Sequence, residues 1–172
     1  HLLSNPKYGG LRTEVLNHQC VSLSSDMIAI IDKGQSKSKA IRIFDSHSGR
    51  QVCEPLLHNM EISDVALNYF GNGENRQLVF VDRNRDLYIT NVKRNGMVTP
   101  VKISTMVDSV KWNDETDMLV AISDGKLIVW YYPGIVYVDR DLLDKIKTVK
   151  NYELGKKSCI VDFYGVRARV RR

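Results

Sequence analysis

Histidine and cysteine are scarce in this sequence, and their placement excludes several chemistries. His1, His18, His47 and His58 are the only histidines, and none belongs to a metal-binding pair. No Gly-x-Ser-x-Gly elbow and no glycine-rich phosphate loop is present, which removes the usual hydrolase and nucleotide signatures. Cys20, Cys53 and Cys159 are odd in number and far apart, so they suit neither a disulfide framework nor a redox pair. They read as buried thiols in a reducing compartment. No apolar run reaches the ~18 residues of a membrane span, because Pro133 and Gly134 break the longest candidate before Asp139 closes it. The opening "HLLSNPKYGG" has neither an initiator Met nor a signal-peptide layout, so the chain reads as a segment of a longer protein.

Excess charge is also nearly absent once one terminus is set aside. The net charge is +5, but four of the 25 Lys and Arg lie in the final "RARVRR", and without them 21 basic residues face 20 acidic ones. In that terminus Val166, Ala168 and Val170 alternate with Arg167, Arg169 and Arg171, the period of a half-buried strand. An arginine-bearing strand face is therefore expected rather than a nucleic-acid groove, which wants a wider basic patch.

What the sequence does have is a repeat. "ISDVALN" (62–68) and "VDSVKWN" (107–113) place apolar residues at matching positions and both close on Asn; they start 45 residues apart, the period of a propeller blade. Each leads through a polar turn to an apolar strand ending in Asp, "LVFVD" to Asp82 and "MLVAISD" to Asp124, and then to a third strand, "DLYITNV" or "KLIVWYY". An earlier copy reads "CVSLS", "MIAIID" and "AIRIFDSHSGRQV", interrupted by the polar loop "KGQSKSK". Val, Ile and aromatic residues fill the strands while Gly, Asn, Asp and Ser fill the turns.

"IRIFDSHSG" (41–49) resembles the WD40 strand that ends in an aromatic and Asp before a Gly-closed turn, and His58 in "LLHNMEISDVALN" resembles that family's turn histidine. The expected fold is all-β: WD40-type β-propeller blades, about three plus a partial fourth, with a short helical insertion, forming a partial propeller. Blades are expected near 19–57, 60–103 and 105–138, an insertion at 139–157, and the start of the next blade at 158–172. A single blade cannot hide both of its apolar faces, so blades stack, and a ring closes with ~4 to 8 of them. In the insertion, Leu142, Leu143, Ile146 and Val149 stand at helical spacing with Asp139 or Asp141 available as N-cap, which predicts a helix of about two turns. In "LIVWYYPGIVYVDRDLL" (127–143), Leu127, Val129 and Tyr131 are expected on one strand face and Ile128, Trp130 and Tyr132 on the other. Trp130 should be packed between blades, Pro133 and Gly134 should turn, and "IVYV" should form an outer strand.

Longer strings carry a closer likeness. "LVFVDRNRDLYITNVKR" (78–94) and "VWYYPGIVYVDRDLL" (129–143), extended by "PKYGGLRTEVLNHQCVSLSSDMIAI" upstream and "VRARVRR" downstream, resemble the intraflagellar transport protein 80 family. Gly134, Asp144 and the connection 145–157 depart from its pattern. The resemblance implies part of a second propeller in a non-enzymatic scaffold of the ciliary transport complex B, partnered by other complex B subunits. It also implies a ciliary location, at the axoneme and basal body, and a cytoplasmic setting. No cofactor, metal, nucleic acid or membrane span is implied, and self-association through blades or a helical region outside this segment stays open.

The residues themselves offer little catalysis. "VDRDLL" (138–143) lacks the glycine-rich loop and strand lysine of a kinase. "DRNRD" (82–86) begins like a calcium loop but has Leu87 where Gly is needed, so a charged hairpin turn is expected. His47 between Ser46 and Ser48 reads as a solvated turn. Partner contacts are expected at Arg140, Asp141, Lys145 and Lys147 in the insertion and at Arg167 and Arg169 in the terminal strand. The alternatives are a generic WD40 coat or vesicle-transport scaffold, a nucleic-acid or anionic-lipid binder using the terminal arginines, and, last, a propeller hydrolase.

Overall fold

A computed structural model describes residues 20–34, 36–71, 73–97, 99–155 and 158–172. His1, His18, the upstream family string before Cys20 and the opening of the first blade lie outside the described residues. Strands β1 (Val21–Leu23), β2 (Met27–Asp32), β3 (Ala40–Asp45) and β4 (Leu56–Leu57) make a first antiparallel sheet. A second holds β5 (Ile62–Leu67), β6 (Arg76–Asp82), β7 (Leu87–Lys93) and β8 (Gly96–Met97), with β9 (Val101–Ser104) also pairing β7. A third runs β10 (Val107–Trp112), β11 (Met118–Ser123), β12 (Lys126–Tyr131) and β13 (Lys147–Lys150), and β14 (Cys159–Tyr164) pairs β15 (Arg167–Arg171) as a fourth.

The middle strands are apolar on both faces because each face belongs to a different core. On β6, Leu78 and Phe80 pack toward Ile41 and Ile43 of the first sheet, while Val79 and Val81 join Trp112, Leu119 and Ala121 of the third. On β12, Ile128 and Trp130 face the second sheet, and Leu127 and Val129 meet Ile160 and Phe163 of the fourth. Trp130 is 0% exposed, as the alternation required. Stacked sheets joined by such layers are the blade packing of a propeller.

The repeat extends to details below the sequence pattern. The first strands of the last three sheets, β5, β10 and β14, each carry a register shift near their start, after Ile62, Val107 and Ile160. Asn68 and Asn113, the closing residues of the two matched strings, are buried, and their side-chain oxygens accept backbone N–H groups that follow: Gln77 N of the next strand at 2.9 Å for Asn68, and Glu115 N and Thr116 N of the turn at 2.9 and 3.1 Å for Asn113. Neighbouring sheets are stitched along the inner strands by Leu67 N to Ser22 Oγ at 2.8 Å, Trp112 Nε1 to Ala66 O at 3.0 Å, and Ile160 N to Ser109 Oγ at 3.0 Å.

The segment after Tyr131 departs from expectation. Its helical character is confined to two 3-10 turns, Pro133–Tyr137 and Arg140–Leu142, the second capped by Asp139, whose carboxylate accepts Asp141 N at 2.9 Å. The two-turn helix reaching Val149 does not form, "IVYV" is not an outer strand, and the third sheet does not end at 138. Its fourth strand is β13, at Lys147–Lys150, paired with Leu127 to Trp130. An α-helix there would leave the outer backbone groups of β12 without partners, and β-branched Thr148 and Val149 suit the strand instead. Tyr131 and Tyr132 are exposed, Tyr132 in a left-handed conformation outside the strand. Of the cysteines only Cys20 is buried; Cys53 and Cys159 are half-buried, and no disulfide joins them.

Candidate interaction surface

The connection from β12 to β13 is a strap laid across the neighbouring sheet. Val136 is buried in the core between the second and third sheets, with Tyr137, Leu143 and Ile146 packed against it. The Tyr137 hydroxyl donates to Ile89 O at 2.6 Å, and Arg140 Nη2 reaches Lys102 O at 3.5 Å, so residues of the third sheet grip β7 and β9 of the second. Burial pushes the Tyr137 phenol above its ordinary range. This anchoring presents Arg140, Asp141 and Lys145 to solvent from a fixed base, with Lys147 half-buried and 3.4 Å from Asp144.

Arg167 and Arg169 stand elsewhere. Both are exposed on β15, where Arg169 pairs with Asp162 across the hairpin. Ala168 and Val170 turn inward beneath them, whereas Val166 lies in the turn and is exposed. The two arginines line a groove of about 820 Å³ between the third sheet and the β14–β15 pair, opposite Leu127, Val129 and Tyr131 and beside Lys150 and Tyr152. None of the four strap residues lines it, so the structure divides the six expected contact residues into two separate groups.

The residues with catalytic overtones serve the turns. Asp82 Oδ1 accepts Asn84 N at 3.0 Å and Asp86 N at 3.1 Å, closing the "DRNRD" hairpin, while Oδ2 lies 3.0 Å from His58 Nε2. His58 is held edge-on against Phe80 and Tyr88. Asp32 repeats the arrangement one sheet earlier, with Gly34 N at 2.8 Å on one oxygen and Arg42 Nε at 2.9 Å on the other. These carboxylates hold a strand pair together. His47 sits on an exposed turn, its N–H and that of Ser48 donating to Asp45, which lowers the Asp45 carboxyl below its ordinary range. Among the described residues no three His, Cys, Asp or Glu side chains converge as metal ligands, and no helix is long and apolar enough to cross a membrane.

Sequence reasoning missed a buried arginine. Arg76 is 0% exposed and bridges the first two sheets: Nη1 donates to Asn68 O at 2.7 Å, and Nε lies 3.0 Å from Asp26 Oδ1, at ion-pair distance without hydrogen-bond alignment. Its one signal was a cation opening a strand with an apolar middle, "RQLVFVD".

Comparison with known proteins gives consistent results. The model of the IFT80 second beta-propeller matches residues 1–172. The "Intraflagellar transport protein 80 homolog" of Rattus norvegicus is 44% identical over 99% of this chain, and that of Mus musculus 42% identical over the same share. The chain spans 22% of the length of each. Among solved structures, the β-propeller domain of Myceliophteria thermophila Cps50 (Swd1) superposes with a TM-score of 0.56 at 12% identity, over 72% of this chain and 41% of that one, a likeness of fold alone.

Proposed function

Because the chain belongs to the IFT80 second beta-propeller family along its whole length, we propose that it is part of a non-enzymatic scaffold subunit of the intraflagellar transport complex B. It would act at the axoneme and basal body of the cilium, with other subunits of that complex as its partners. The mechanism is rigid display: three inter-sheet cores fix the strands, and the loops they carry are held for contact while no bond is made or broken. The observation that carries this reading is the family match, and the strap supports it. Its polar residues are exposed while Val136 and Tyr137 are locked into the neighbouring sheet, the arrangement expected of a presented contact.

The strap group, Arg140, Asp141, Lys145 and Lys147, and the strand group, Arg167 and Arg169, are the proposed contact residues. Cross-linking of the intact complex, read by mass spectrometry, should join them to other subunits. Charge reversal of Arg140 with Lys145, or of Arg167 with Arg169, should release a subunit without unfolding the protein. Complex assembly unaffected by both reversals would refute the assignment. Binding to DNA or anionic vesicles that falls steeply with salt and disappears with Arg167 and Arg169 would favour the nucleic-acid or lipid reading instead.

A further inference from the structure

A second groove, untouched by those six residues, opens between the second and third sheets on the face that carries the β5–β6 and β10–β11 turns. It encloses about 440 Å³. Phe70, Tyr132 and Val138 line it and are 46, 65 and 80% exposed, a cluster of large apolar side chains on a surface that would ordinarily disperse them. Tyr132 is held at φ 53° and ψ 57°, with its N–H donating to Asp117 O at 2.8 Å. A non-glycine residue kept in that conformation costs on the order of 1 kcal/mol and persists where its surroundings enforce it.

The carboxylate of Asp117, on the polar side of the groove, is thinly partnered. Gln77 Nε2 lies 3.5 Å from both oxygens of Asp117, a long contact, and it is the donor that reaches this carboxylate among the described residues. The other end of the same amide, Gln77 Oε1, is buried with no hydrogen-bond partner. Burial pushes the Asp117 carboxyl above its ordinary range, with the Gln77 bond opposing. Among the charged residues that line the groove, Glu74 and Asp117 are acidic and Lys93 is basic. Two carboxylates against one ammonium favour a cationic occupant.

A carboxylate held only by one long amide contact, in a groove that also carries an exposed phenol ring, matches a guanidinium. Its planar fork donates to two acceptors at once and its face stacks on an aromatic ring, which an ammonium does less well. We propose that this groove binds an arginine side chain of a partner protein, held by the two oxygens of Asp117 beside Tyr132, with a neighbouring apolar residue of the partner resting on Phe70 and Val138. The proposal rests on the scaffold reading and names one contact of that scaffold.

The test places p-benzoylphenylalanine at Val138 in the full-length protein within its assembled complex and identifies the photo-captured segment. A segment of another protein with an arginine beside the cross-link is expected, and Asp117→Asn should reduce its capture while Asp114→Asn, which removes the same charge outside the groove, should not. A synthetic peptide of the captured sequence should bind the full-length protein about tenfold more weakly when its arginine is replaced by citrulline. That comparison leaves the protein unaltered, so it does not depend on how the Asp117 variant folds. A captured segment without arginine, capture of a second copy of this chain, or equal binding of the citrulline peptide overturns the proposal. So does failed capture in a complex that otherwise assembles, which leaves the scaffold reading intact.

Discussion

Replacing Arg76 tests whether the sheets are joined by polar as well as apolar contacts. The side chain is completely buried, and among the described residues no other charged side chain is buried to that degree. Truncation to Ala removes the 2.7 Å bond to Asn68 O and the longer contacts to Gly71 O and Ser25 Oγ, and leaves Asp26 without its cation. Breaking a buried ion pair costs roughly 3 to 5 kcal/mol. The Asp26 side chain keeps 28% of its exposure, so water recovers part of that loss, and about 3 kcal/mol is expected. For a domain of this size that corresponds to a melting temperature lower by about 9 °C. Arg76→Met, which fills the space without donating, should fall about 2 kcal/mol short of the parent. Chemical denaturation followed by tryptophan fluorescence gives these values, and a double-mutant cycle with Asp26→Asn should return a coupling of about 1 to 2 kcal/mol. An alanine variant within about 1 kcal/mol of the parent, or a cycle that closes with no coupling, would show that Arg76 is carried in the core without holding the two sheets together.

Asp64 supplies a pH test: burial lifts its carboxyl from 3.8 to about 7, with Lys111 opposing. Its folded value exceeds the unfolded one, so the native state holds the extra proton, and stability is lost as pH rises from about 4 through 7. Asp64→Ser, which installs the residue that Ser109 provides in the next repeat, should stabilise the protein by roughly 2 kcal/mol above pH 7 and by little near pH 4; a gain independent of pH would contradict this. The two buried tryptophans should respond differently to Phe: Trp112 Nε1 donates to Ala66 O whereas Trp130 Nε1 has no partner, so Trp112→Phe should cost about 1 kcal/mol more by urea denaturation. Tyr137→Phe removes the strap's bond to Ile89 O and should expose residues 133–146 to limited proteolysis at a rate raised about fivefold, with little change in overall melting.

The blades were legible because burial on two faces demands unbroken apolar strands, and the turns between them demand Asp, Asn and Gly. The Asp124–Gly125 turn shows it: both residues take positive φ, as a two-residue hairpin requires, and the pair is visible as the letters alone. The strap was misread because Leu142, Leu143, Ile146 and Val149 have helical spacing for a reason unrelated to a helix. Leu143 and Ile146 reach back to the core of the preceding sheets, and Val149 belongs to a strand. Of the six expected contact residues, five are exposed, as charges in loops and on a strand edge tend to be, and Lys147 is half-buried. Their division into two groups, and the groove at Tyr132, were not legible, because residues 70, 77, 117 and 132 meet only when two sheets stack.

By itself, the amino-acid sequence determined the repeat, the both-faced burial of Trp130 and its neighbours, the turn role of His58 and Asp82, and the family. Each depends on local spacing or on long ordered strings, which survive without knowledge of what lies across the core. Tertiary structure alone decided that β12 completes its sheet with Lys147–Lys150, that Arg76 is buried between sheets, and that Asp117, Gln77 and Tyr132 share a groove. Those outcomes turn on which backbone edge needs a partner and which side chains meet between blades, and stacking settles both at once.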